Sequence, residues 1–294
     1  MRARLGRRLV AGTVAALLTC TVLAVGGAQA TRNGTQASPS APVTLGYYEG
    51  WIQQERPPSA FDLGAWTHIM HFGVYPTAAG GLEWANLTGG QANELVNAAH
   101  EQDKKAILVI GSEGYGEQFV EATKPANRAG FVAEIVNAMR QHGYDGIDID
   151  WEEHVAADQF RSLITELRTA LDEVQPRPWL SFDAVSGLLE PELAAELTEY
   201  VEVIHLMAYW SDGRDELAAY RSAGIPPHKL ALGVGLYVDA QDGYHDDTRQ
   251  KVRAKAELAR TEQLAGLGAW SFGHLDDGHS DPRLQPLREF VANE

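Results

Sequence analysis

From Val43 onward, short runs rich in β-branched and aromatic residues alternate with longer stretches whose apolar residues recur at helical spacing. The first kind predicts strands at Val43–Tyr48, Thr67–Tyr75, Lys105–Gly111 and Gly143–Glu152, then at Trp179–Ala184, Glu202–Tyr209, Lys229–Tyr237 and Gly268–Phe272. The second predicts helices at Gln91–Gln102, Ala129–Gln141, Ala156–Val174, Pro191–Tyr200, Asp215–Ala223 and Thr248–Leu264. Pro191 suits a first helical turn, and Gly143 and Gly224 suit the position just after a helix. Such alternation calls for a parallel sheet with right-handed crossovers. Eight strands in about 250 residues is the size of a closed α/β barrel, the (β/α)8 TIM barrel. An open doubly wound sheet would usually show a glycine-rich phosphate turn after its first strand, and Tyr47-Tyr48-Glu49-Gly50-Trp51 is nothing like one. A single barrel over 43–294 is the expectation.

The pattern before Val43 is of another kind. Arg2, Arg4, Arg7 and Arg8 precede an apolar stretch from Leu9 to Val25, and Gly26, Gly27 and Ala28-Gln29-Ala30 supply the small residues of a signal-peptidase site. An apolar run of about 17 residues is the short limit for a membrane span, and no basic stop-transfer cluster follows. We therefore expect a signal peptide over 1–30, cleaved near Ala30, a flexible leader over 31–42, and a secreted product free of the membrane after cleavage. Cys20 is the single cysteine of the 294 residues. It lies inside the signal, so disulfides, thiolate nucleophiles and Cys-bound metals are not expected.

Charge narrows the partners. Lys and Arg number 24 against 40 Asp and Glu, a formal net charge of −16, and removal of the four signal arginines makes it more negative. That sign disfavours nucleic acid and anionic membrane surfaces; a neutral ligand such as a sugar is not disfavoured. His68 and His71 have opposite parity on one strand and cannot form a metal face together. Serines show no nucleophile-elbow context.

The chemistry concentrates at the end of the fourth strand, where residues 144–154 read YDGIDIDWEEH. Side chains alternate faces along a strand, so Asp148, Asp150 and Glu152 share one face and Ile147, Ile149 and Trp151 the other. The apolar set belongs against the covering helices, which turns the acids into the barrel at spacings of roughly 6.6 Å. Like charges so placed cannot all ionise, and at least one pKa should rise. Glu152, last in the row, falls at the strand's C-terminal end, where barrel enzymes keep their catalytic groups, and a carboxyl held protonated there suits a general acid. A hard-cation site is the alternative, and it would need further oxygen ligands from other loops.

The run from Asp145 to Glu152 resembles the D-G-x-D-x-D-x-E signature of glycoside hydrolase family 18, which comprises chitinases and endo-β-N-acetylglucosaminidases on a (β/α)8 barrel. Val43-Thr44-Leu45-Gly46-Tyr47-Tyr48 resembles the family's first strand, Thr67-His68-Ile69 its second, Met207-Ala208-Tyr209 its Met-x-Tyr on strand six, and Trp270 its tryptophan on strand eight. The resemblance implies a retaining, substrate-assisted hydrolysis in which the sugar's own acetamido oxygen, rather than a second carboxylate, attacks the anomeric carbon. It casts Glu152 as general acid/base, Asp150 with Tyr209 as orienting the acetamido group, and Asp148 as sharing a proton with Asp150. Trp270 is the expected floor under the sugar. Met207, Tyr48, Trp51, Trp210 and Asp183 are further expected substrate contacts, and Asp145 and Gly146 are structural members of the motif. No metal or cofactor is expected, and the expected product is a monomer acting on a carbohydrate.

Departures fall at the substrate rim. Val109-Ile110-Gly111-Ser112-Glu113-Gly114 only approximates the family's Ser-x-Gly-Gly, Trp210 stands where Asp or Asn is usual, and Glu153-His154 replaces Tyr-Pro. About 30 residues separate strands seven and eight, too few for the extra α+β insertion domain of deep-cleft chitinases. The sequence thus points to a glycosidase cutting β-1,4 linkages of N-acetylglucosamine polymers. An endoglycosidase of the N-glycan chitobiose core is the second reading. A non-catalytic chitin-binding barrel is the reading of another class, disfavoured because such proteins typically lose the catalytic acid and Glu152 is present.

Overall fold

The computed structural model describes residues 41–111, 113–236 and 247–292. The expected signal peptide and all but the last two residues of the leader lie outside them. Nine strands and eight helices follow in chain order among the described residues: β1 (Val43–Glu49), β2 (His68–Pro76), β3 (Leu82–Glu83), α1 (Gly89–His100), β4 (Lys105–Gly111), α2 (Gly116–Ala122), α3 (Arg128–His142), β5 (Gly146–Asp150), α4 (Ala157–Asp172), β6 (Trp179–Ala184), α5 (Pro191–Glu196), β7 (Val203–Leu206), α6 (Arg214–Ser222), β8 (Leu230–Gly235), α7 (Arg249–Thr261), β9 (Gly266–Trp270) and α8 (Leu284–Ala292). Every strand but β3 joins one parallel sheet in the order β1-β2-β4-β5-β6-β7-β8-β9, and β9 pairs back with β1 to close it. β3 is a two-residue antiparallel addition to the end of β2. The molecule is a (β/α)8 TIM barrel. Between β8 and β9 the described residues hold α7 alone, leaving no place there for an insertion domain.

Strand parity divides the apolar residues between two cores. Leu45, Tyr47, Met70, Phe72, Ile107 and Val109 fill the barrel interior, while Ile69, Leu108, Ile147, Ile149, Phe182 and Leu267 point outward under the helices. Helix α4 shows why the outer layer holds. Phe160, Leu163, Ile164, Leu167 and Leu171 form one buried stripe at helical spacing, and Phe160 meets Phe182 of β6 edge-on at 5.2 Å. Thr88 and Gln91 cap α1 reciprocally, satisfying amide groups that the helix leaves unpaired. Helix α3 stops at Gly143, whose φ of 76° suits glycine.

Most expected elements stand within a few residues of their predicted bounds, and the differences have local causes. The strand expected to run to Tyr209 leaves the sheet after Leu206, where Ala208 N turns back to donate to Leu206 O at 2.7 Å. The helix expected to reach Tyr200 ends at Glu196, and Leu197 N closes a tighter turn onto Ala194 O. Helices α2 and α8 were not foreseen. The buried Leu284, Leu287 and Phe290 do give α8 an apolar face.

Candidate active site

The acid row is delivered by β5 as its alternation requires. Ile147 and Ile149 are fully buried outward, whereas Asp148 and Asp150 turn into the barrel at 0% and 3% exposure. Just past the strand, Trp151 returns to the outer side and stacks on Phe119 of α2, ring centres 4.8 Å apart and planes 9° from parallel. Its indole N–H donates to Glu153 O at 2.7 Å. With Trp151 clamped on one side, Glu152 emerges on the other, at the C-terminal mouth of the barrel. Glu153 accepts from Gly114 N at 2.8 Å, tying this segment to the loop after β4.

A cavity of about 270 Å³ opens there. Asp150, Glu152 and Asp183 line it together with Tyr209, Met207, Trp270, Trp51 and Trp210, and so do Tyr47, Phe72 and Glu113. No Lys or Arg is among them. Trp270 meets Phe72 edge-on at 4.9 Å, and Trp51 stands edge-on to the same ring at 5.6 Å. Trp51 and Trp210 are 47% and 56% exposed, an unusual state for indoles. They form the open walls of an otherwise buried hollow.

Beneath the cavity lies a closed polar network. Tyr47 Oη donates to Asp183 Oδ1 at 2.6 Å and lies 3.2 Å from Asp148 Oδ2. His205 Nδ1 is 2.7 Å from Asp183 Oδ1 and 3.0 Å from Tyr47 Oη. Ser181 Oγ donates to Asp148 Oδ1. Asp148 therefore bonds sideways to β1 and β6, away from the Asp150 with which proton sharing was expected. Among the described residues, Asp150 Oδ1 is a buried oxygen with no hydrogen-bond partner.

Burial governs the ionisation of these groups. It raises Glu152 to about 7, with the Asp183 and Glu113 charges adding to the effect. It lifts Asp150 and Asp148 well above the usual aspartate range, again with Asp183 contributing. Burial raises Asp183 to about 7 as well, although its hydrogen bonds with Tyr47 and Asp148 lower it in part. Burial lowers His205 to about 4, so the ring is neutral near pH 7.

Tyr48 requires a correction. It was expected at the substrate, but its parity on β1 turns it outward, where its hydroxyl donates to Arg56 O at 2.8 Å and its ring packs on Phe61 and Phe272. Its neighbour Tyr47 takes the inward place. Asp183 lines the cavity, yet its polar contacts are to Tyr47, His205 and Asp148. Asp145 sits at the base of β5 and accepts from Ala106 N at 2.9 Å, with Lys105 and His100 beside it. Gly146 is pressed against Trp179, where a Cβ would lie 2.4 Å from a carbonyl oxygen. His205 is a hydrogen-bonded core histidine below the site, and His71 is an outer-layer one, bonded to Tyr144 and Gln53. Among the described residues no group of three or more His, Cys, Asp or Glu is placed to hold a metal ion. Tyr47 and Glu113 were missed. Strand parity would have found the first; the second depends on how a loop folds over the mouth.

Fold and cavity define a TIM-barrel protein with a carboxyl-lined, aromatic-walled hollow at the C-terminal ends of its strands. The chain belongs to the glycosyl hydrolases family 18, whose model matches residues 43–246. It is 27% identical over 169 residues to an endochitinase of Manduca sexta, covering 51% of this chain and 29% of that protein. It is 30% identical over 286 residues to a chitinase-like effector of Moniliophthora perniciosa, covering 80% and 63%. The chain thus spans less than two thirds of the length of these relatives. A chitinase from Cycas revoluta, solved in complex with (GlcNAc)3, shares the fold with a TM-score of 0.72 at 17% identity, over 85% of this chain and 99% of that one.

Proposed function

We propose that this protein is a chitinase, hydrolysing β-1,4 linkages of N-acetylglucosamine polymers by substrate assistance. The observation that carries the reading is the carboxyl row. It ends in Glu152 at the cavity mouth and includes Asp150, whose buried Oδ1 lacks a partner within the described residues. An acceptor left unmatched beside a cavity fits an incoming N–H, and the acetamido N–H of N-acetylglucosamine supplies one. Glu152, raised to about 7, still carries a proton near neutral pH. It gives that proton to the glycosidic oxygen as the C1–O bond breaks. The acetamido oxygen closes onto C1, and Asp150 pairs with the positive oxazolinium that results. Water, losing its proton to Glu152, then opens that ring at C1 with overall retention. Tyr209 flanks the acetamido group, and Trp270 lies under the sugar's apolar face. Trp51 and Trp210 offer stacking surfaces for the sugars on either side.

The test mixes chitopentaose and a high-mannose glycoprotein with the protein and reads products by mass spectrometry. Shortened chito-oligomers with an untouched glycoprotein are expected. A glycan released with one N-acetylglucosamine left on asparagine would make the protein an endoglycosidase instead.

A further inference from the structure

Helix α7 carries a lysine where its periodicity asks for an apolar residue. Val252, Lys255, Ala256 and Ala259 recur at helical spacing on the buried face, and Lys255 is only 3% exposed. A buried ammonium is costly unless each of its three N–H groups finds an acceptor. Here each does: Lys255 Nζ donates to Asp247 Oδ2 at 2.6 Å, to Gly233 O at 2.9 Å and to Ala208 O at 2.9 Å. Asp247 is itself anchored on Gly235, donating from its N to Gly235 O at 2.8 Å and accepting at Oδ2 from Gly235 N at 3.0 Å. The ion pair with Asp247 uses one N–H; the other two reach main-chain carbonyls on β8 and just beyond β7.

Ala208 stands between Met207 and Tyr209, both of which line the cavity. It lies past the end of β7, where the sheet no longer holds the chain. Met207 N still bonds back to Ala184 O of β6 at 3.0 Å, and Ala208 N folds onto Leu206 O at 2.7 Å. The Ala208 carbonyl shares a peptide plane with Tyr209 N, and its partner is Lys255. Gly233 backs the same turn so closely that a Cβ there would lie 2.5 Å from Leu206 O and 2.7 Å from Ala208 N. The direction in which Tyr209 leaves the turn is thus set from helix α7.

We propose that Lys255 is a positioning residue: by gripping the Ala208 carbonyl it fixes the peptide plane before Tyr209 and so aims the Tyr209 side chain into the cavity. This rests on the reading of Tyr209 as flanking the acetamido group. Lys255 is not among the residues lining the cavity and acts through the main chain alone. Without it the Ala208 carbonyl, on a residue 2% exposed, is left buried with no partner, and the turn shifts to find one.

The experiment compares wild type with Lys255→Met, which keeps a long side chain and removes its donors. NMR of protein labelled with ¹³C-tyrosine follows the Tyr209 ring, Tyr209→Phe identifying its signals. Those signals are expected to shift or broaden in Lys255→Met, while those of Tyr48, outward on β1, and Tyr144, at the base of β5, stay in place. On chitopentaose, kcat should fall at least about tenfold in Lys255→Met. The same change made in Tyr209→Phe should cost less than about twofold more, because a ring already without its hydroxyl loses little by being re-aimed. Lys255→Met/Asp247→Asn leaves no buried charge unpaired and takes both measurements should Lys255→Met fail to fold. Unmoved Tyr209 signals overturn the proposal, as do equal losses of kcat in the two backgrounds, which a general loosening of the barrel would produce. The NMR comparison needs no turnover, so a protein that cleaves nothing would defeat the hydrolase reading and still leave this one decided.

Discussion

Asp148, Asp150 and Glu152 are acids that folding alone would leave in water, and burying them has a thermodynamic consequence. Glu152 has a folded pKa raised to about 7 from an ordinary 4.5. Between those values the folded state binds more protons than the unfolded one, so stability falls as pH rises through the window. Glu152→Gln cannot ionise and escapes that loss. Its melting temperature should exceed that of wild type above pH 7, and the gap should close below about pH 4.5. Calorimetric melting of both proteins across pH checks this; equal melting temperatures at pH 8 would mean that Glu152 is not strained by burial. The acid row was legible in the sequence because strand alternation is a strict rule. The same rule, applied to β1, would have chosen Tyr47 over Tyr48. The Tyr47–Asp183–His205 clamp was not legible, since it joins residues from β1, β6 and β7 whose meeting depends on barrel register rather than on spacing along any one strand.

At the scale of elements, the eight barrel strands and the helices α1, α3, α4, α6 and α7 could be read from apolar periodicity, because each buries a continuous face. Two kinds of feature escaped. Helix α2 is short, and its buried Gly116, Phe119 and Ala122 span under two turns, too few for a period to stand out. The strand ends are set by turns such as that at Ala208, which the pattern of apolar residues does not encode. One such junction carries a direct test. At the end of β4, Gly111 has φ 127°, and a Cβ there would lie 1.9 Å from Asp150 O. Gly114, a few residues on, also has positive φ, at 85°, but open space around it. Gly111→Ala should therefore cost roughly 3 kcal/mol or more, and Gly114→Ala only about 1 kcal/mol. Urea denaturation midpoints of the two variants make the comparison. Equal losses would contradict the close packing of β4 against the end of β5.

The described residues form a single closed barrel that carries a buried polar network beneath an acidic C-terminal mouth. The formal net charge of the full chain is strongly negative, at −16, which suits an uncharged polymer better than a polyanion. The closed sheet fixes the backbone beneath each site residue, so that side chains from seven strands or the loops that follow them converge on one cavity. Everything in the functional account passes through one carboxyl, and its removal is the most direct measurement. Wild type should shorten chitopentaose, and Glu152→Gln should lose at least about a hundredfold in kcat, the scale of a missing general acid, while calorimetry still records binding of the oligomer. Cleavage by Glu152→Gln at the wild-type rate would contradict the account at its centre.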